Sequence, residues 1–251
     1  MLGPECGQAY AGGVTQPADA PDVPSLPLVE EAAHDAQAEI RPTWRGWIHA
    51  GTFPVALVAG IVLIVLAHGT AAKWSAAVFM VSSLLLFGNS ALYHRFDWKP
   101  RVKMVLKRID HANIMLLIAG TYTPVAVLAL PTDKSIMLLS FVWGGALVGI
   151  LFRVFWINAP RWLYVALYLV LGWAAMMYIV DLFQTSVIMM VLVLVGGVLY
   201  TGGAIVYATK RPNPWPGTFG FHEIFHLCTV LAFLCHWTAC LLICLNPAFH
   251  G

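Results

Sequence analysis

The sequence predicts an all-α fold: a seven-transmembrane helix bundle with the N-terminus cytoplasmic and the C-terminus outside. Three observations predict it. Of 251 residues, 60% are hydrophobic and only 10% charged, with a mean hydropathy of +0.78; a soluble domain carries roughly a quarter charged residues. Seven apolar stretches follow one another, each near the ~20 residues needed to cross a bilayer. Lys and Arg crowd into alternate loops, as the positive-inside rule requires of a multi-pass protein in a plasma or inner membrane.

Residues 1–40 stand apart. They are rich in Ala, Pro, Gly and acids (Glu5, Asp19, Asp22, Glu30, Glu31, Asp35, Glu39) and show no apolar periodicity. They read as a disordered tail with a short helix near Val29–Ile40. No apolar h-region of a cleavable signal peptide is visible there. Residues 41–251 read as the membrane domain.

The seven segments run Trp47–Ala67, Trp74–Tyr93, Ile109–Leu130, Ile136–Trp156, Trp162–Val180, Val187–Ala208 and Phe221–Leu245. Pro100, Pro131, Pro160 and the Pro212/Pro214/Pro216 cluster mark the short loops between them. Trp47, Trp74, Trp98, Trp156, Trp162 and Trp215 sit near segment ends, where interfacial anchors belong. Of the 14 Lys and Arg residues, Arg41, Arg45, Arg95, Lys99, Arg101, Lys103, Lys107, Arg108, Arg153, Arg161, Lys210 and Arg211 fall on one side, and only Lys73 and Lys134 on the other. The net charge of +2 is too small to point to nucleic acid. Cys228, Cys235, Cys240 and Cys244 all lie in the last segment and read as reduced, buried thiols rather than a disulfide framework.

Ionisable groups inside spanning segments are costly, so they mark functional candidates. Ser90 and His94, four apart at the end of segment two, share one helix face. Asp110 opens segment three. His222 and His226, four apart at the start of segment seven, again share a face. The seven-segment topology puts His94, Asp110, His222 and His226 at one depth, near the cytoplasmic edge. Three imidazoles with an open position form a catalytic zinc arrangement. Asp110 would then orient a ligand or hydrogen-bond to water on the metal. His236 lies about 15 Å further along its helix, at the wrong depth.

For Ser90 two readings stand side by side: a place in the site, or a bond back to its own helix. Asn113, Thr121, Tyr122 and Thr123 read as helix–helix hydrogen bonds, and Pro124 as a kink or packing feature. His111 and Glu223 point away from the site and read as interfacial and solvated. The glycine pairs Gly144/Gly145, Gly196/Gly197 and Gly202/Gly203 read as close helix contacts.

SALYHRF (90–96), RIDHANIMLLIAGTYTP (108–124) and HEIFH (222–226) resemble the three signature blocks of the hemolysin III proteins. These belong to the progestin and adipoQ receptor family, which includes the adiponectin receptors; a wider superfamily adds the alkaline ceramidases. The resemblance covers roughly residues 41–245. It implies a zinc ion held by His94, His222 and His226, with Asp110 acting near the metal and Ser90 belonging to the same site.

Two classes of function follow, with a third suggested by the family name. In the first, zinc-activated water hydrolyses an amide or ester of a membrane lipid, ceramide-like or fatty-acyl, with Asp110 moving the proton and Ser90 supporting an oxyanion or Asp110 itself. In the second, the protein is a receptor or membrane-homeostasis protein and zinc only ties segments two, three and seven together. A lytic pore has the least support, because the segments lack charged rings.

Overall fold

The computed structural model describes residues 42–156 and 161–250, apart from the side chain of Arg161; the expected tail, residues 1–40, lies outside the described residues. Among the described residues, seven helices are long and apolar enough to cross a membrane. The first four are continuous: α1 (Trp47–Leu66), α2 (Thr70–Arg95), α3 (Pro100–Ala129) and α4 (Thr132–Phe155). The fifth span, Trp162–Thr185, is composite. It consists of α5 (Arg161–Gly172), a 3-10 turn (Ala174–Tyr178) and α6 (Ile179–Thr185). The last two are α7 (Val187–Thr209) and α8 (Phe221–Leu245). Without water in the bilayer core, helices are the form in which a single segment satisfies its own backbone.

Most helix ends fall within a few residues of the sequence expectation, with two larger differences. α3 begins at Pro100, not Ile109, with Pro in its first turn, where its missing N–H costs nothing. Lys103, Met104, Leu106 and Lys107 extend the helix because they are good helix formers, although the lysines and arginines of this stretch hide it from an apolar window. Asp110 therefore sits inside α3 rather than opening it. The second difference is the break in the fifth span. The Tyr122 hydroxyl of α3 donates to Gly172 O (2.7 Å) and accepts from Ala175 N (2.9 Å). It thus pairs backbone groups on both sides of the interruption, the condition for irregular backbone at membrane depth.

α3 is the most enclosed span: 67% of its apolar window is buried, against 22–28% for α1, α4, α7 and the composite span. It packs against α2, α4, α5, α6 and α8, and α8 in turn packs against α1, α2, α3 and α7. Phe233 of α8 stacks on Phe79 and meets Phe87 edge-on, both from α2, at 5.7 and 5.0 Å between ring centres. The outer helices turn Val58, Val65, Ile136, Val148, Ile188 and Val198 outward, faces suited to lipid.

Only one glycine of two of the expected pairs makes a tight contact. A Cβ on Gly145 would meet Leu171 and one on Gly203 would meet Cys228, whereas Gly144 and Gly202 face open space. Gly196 lies against His236, and Gly197 is in ordinary contact with Trp173. Gly120, outside those pairs, abuts Ser82 and lets α2 and α3 approach closely. Cys240 and Cys244 are buried, whereas Cys228 and Cys235 are half-buried; all four are free thiols.

The starts of α1, α3, α5 and α8 and the ends of α2, α4 and α7 share one end of the bundle. Arg45, Arg95, Lys99, Arg101, Lys103, Lys107, Arg108, Arg153, Lys210 and Arg211 lie toward that end, and Lys73 and Lys134 toward the other. The segment before α1 is tied to the loop before α8 there: Thr43 N donates to Gly217 O (3.1 Å) and Trp44 N to Thr218 O (3.2 Å).

Candidate metal centre

Three helices bring the expected site residues together at the basic end. Ser90 and His94 occupy the last two turns of α2, and the i, i+4 spacing stacks them on one face. Asp110 comes from α3. His222 and His226 come from the first two turns of α8, whose start is fixed by Glu223: its Oε2 accepts the Gly220 N–H at 2.9 Å. That bond pairs one of the orphan donors around a helix N-terminus.

His94, His222 and His226 each offer a ring nitrogen, and these atoms all lie within 4.8 Å of one another. His94 Nε2 and His222 Nε2 are 3.3 Å apart. Nitrogens bound to one tetrahedral zinc at 2.0–2.1 Å stand about 3.4 Å from each other. The donor set fits a small divalent cation in number, chemistry and spacing. His94 and His226 are buried and His222 is half-buried, so the set is largely screened from solvent.

Asp110 Oδ2 lies 3.8 Å from His94 Nε2, with the Asp110 side chain 16% exposed. The Ser90 hydroxyl and the Asn89 amide lie beside its carboxylate. Asn89 donates to Leu106 O (3.2 Å), which links α2 to α3 beside the site. Ser90 thus neighbours Asp110 and lies on the face of α2 that carries His94. The carboxylate stands beside the histidines, with two neutral polar groups next to it.

Several neighbouring expectations need correction. Glu223 is not solvated: it is 1% exposed, and its Oε1 accepts from Arg45 Nε at 2.8 Å. Its ion pair with Arg45, which precedes α1, makes this burial tolerable. His111 is half-buried rather than solvated; its Nδ1 is 2.7 Å from Lys107 O, and its carbonyl accepts from Tyr168 OH (3.2 Å). Asn113 does bridge helices, donating to Leu85 O at 2.8 Å. Thr121 bonds only within α3, to Leu117 O (2.7 Å). Thr123 bonds to Ala119 O of α3 and also accepts from Trp143 of α4 at 3.2 Å. Pro124 is buried inside α3. His236 stays apart, 3.1 Å from Val193 O of α7.

The sequence reading missed His49. This imidazole in the first turn of α1 is 3% exposed and lies flat on His226, with ring centres 3.9 Å apart and planes 15° from parallel. The depth rule that selects His94 and His222 would also have selected it. It stands at the basic end of a spanning segment, but the lack of a second histidine one turn away leaves no motif.

Comparison with known proteins agrees with this architecture. Residues 37–237 match the family described as Haemolysin-III related. The chain is 36% identical over 161 residues to the "Hemolysin-3 homolog" of Bacillus subtilis (strain 168), which covers 62% of this chain and 75% of that one. It is 34% identical over 177 residues to the "Hemolysin-3" of Bacillus cereus, covering 69% and 78% respectively.

Proposed function

Because the chain belongs to the Haemolysin-III related family and is a multi-pass integral membrane protein, we propose that it is a zinc-dependent hydrolase of an amide or ester bond in a membrane lipid. One observation carries the reading: three clustered imidazoles with a carboxylate beside them. Structural zinc sites are closed, and catalytic ones keep a position open. By the positive-inside rule the basic end, and with it the site, faces the cytoplasm.

His94, His222 and His226 would hold the metal. When bound, zinc would polarise a carbonyl and bring the pKa of a water to about 7. Asp110, 3.8 Å from His94, is positioned to take a proton from water and return it to the leaving amine or alcohol. Ser90 and Asn89, beside that carboxylate, would keep it turned toward the site. The substrate is a ceramide-like or fatty-acyl lipid whose chain stays among the apolar helices while its linkage reaches the histidines.

The test is fatty acid release from ceramides and lysolipids by the purified protein, with Asp110→Asn and His226→Ala beside it. Release by the parent alone supports the reading, and equal release by all three overturns it. The 3.8 Å approach of Asp110 to His94 also favours a second reading, a receptor or membrane-homeostasis protein in which Asp110 completes a closed structural site. Metal-edge absorption that finds four protein ligands would support that one. Dye-loaded vesicles in the same assay test the lysis implied by the name of the Bacillus cereus relative, and no leakage is expected.

A further inference from the structure

α1 belongs to no ligand set, yet its first turn and the two residues ahead of it reach His94, His226 and the neighbour of His222. Arg45 pairs with Glu223, the neighbour of His222. Gly46 packs against His94, so closely that a Cβ there would come 3.0 Å from His94 Cβ. His49 covers the face of His226.

His49 is the unexplained member of this group. Phe87 meets its ring edge-on at 5.1 Å and 80°, so it is packed on two sides by rings. Both ring nitrogens are fully buried and neither makes a well-aligned hydrogen bond, although the backbone of His226 lies near the ring. It does not join the donor set formed by the other three histidines. A neutral imidazole carries one N–H donor and one acceptor nitrogen, and buried polar atoms nearly always find partners. A ring needed only for stacking would be served by Phe, with no nitrogen to satisfy. The missing partner is therefore something that enters the site.

We propose that His49 is a binding residue of this centre: one ring nitrogen hydrogen-bonds the polar linkage of the lipid, or water in its place, beside the histidine triad. The flat contact with His226 sets the plane of that ring at the same time. The proposal rests on the metal-centre reading above.

Cobalt tests it, because its visible bands report the ligand field and its surroundings. The full-length protein in detergent is loaded with cobalt(II) and compared with H49F, H49A and H49Q, and affinity is measured by chelator competition. H49F keeps the stack and should bind cobalt within about threefold of the parent, but with displaced bands. H49A should also lose 10–100-fold in affinity, as loss of a supporting residue commonly does. H49Q, which retains a hydrogen-bonding group, should return the bands toward the parent. Should H49F not fold, H49A against H49Q makes the same comparison. Superimposable spectra for the parent and H49F, or for H49A and H49Q, overturn the role of His49 alone. A parent that takes up no cobalt overturns the metal centre and this inference with it.

Discussion

His94 Nε2 and His222 Nε2 meet at 3.3 Å although 128 residues separate them in the chain. α2 ends and α8 begins at the same level of the bundle, and these two rings, with His226, are what that level has in common. If the cluster binds a metal, the purified protein should carry about one zinc per chain by elemental analysis. His94→Ala and His222→Ala should each reduce this severalfold, because two nitrogen donors hold zinc far less tightly than three. Chelation should also lower the unfolding temperature of the parent and leave those variants unmoved, since a ligand bound only by the folded state stabilises it. Parental metal content in both variants would refute the triad.

Asp110 and Ser90 should separate in their effects. Asp110→Asn keeps the shape and both neighbours but removes the base, so it should retain metal while losing about 10²–10⁴-fold in kcat. Ser90→Ala removes one of the two polar neighbours of that carboxylate and should cost less, about tenfold, because Asn89 remains. A kcat for Ser90→Ala as low as that for Asp110→Asn would mean that Ser90 acts directly on the substrate.

The site was legible where residues one turn apart share a helix, and less so where a partner comes from far along the chain. Ser90/His94 and His222/His226 announce themselves by their spacing, and the loop charges bring those two helix ends together before any coordinates do. His49 has no such echo. The burial of Glu223 depends on Arg45, 178 residues earlier, so a reading of the local helix face sends it to solvent instead. The spans were legible from apolar length, but the interruption near residue 173 was not. No Pro marks it, and the group that sustains it, Tyr122, lies on another helix.

The Arg45–Glu223 pair should matter for stability more than for chemistry. Both side chains are buried, at 8% and 1% exposure, and they meet at 2.8 Å. Glu223→Leu takes the carboxylate away from Arg45 and from the Gly220 N–H together. The expected loss is about 3–5 kcal/mol, the usual result of removing one half of a buried pair. Arg45→Met combined with Glu223→Leu should recover part of it, because no buried charge is then stranded. Reversible unfolding in mixed detergent reads both values, and a loss below about 1 kcal/mol for Glu223→Leu would contradict so enclosed a pair.

Tyr122→Phe tests the break in the fifth span. The substitution keeps the ring and deletes one oxygen, which bonds to Gly172 O and Ala175 N at 2.7 and 2.9 Å. Interhelical hydrogen bonds in membranes contribute roughly 0.6 kcal/mol each, up to about 1.7, so losing two should destabilise the protein by about 1–3 kcal/mol. The more telling readout is local. Amide exchange should quicken across residues 172–178, where the backbone relies on that hydroxyl, and stay unchanged in α8. Thr123→Val, one residue away, removes a hydroxyl bonded to Ala119 O and Trp143 and should leave exchange in 172–178 untouched. Equal protection of that stretch in the parent and in Tyr122→Phe would show that the interruption is held by packing alone.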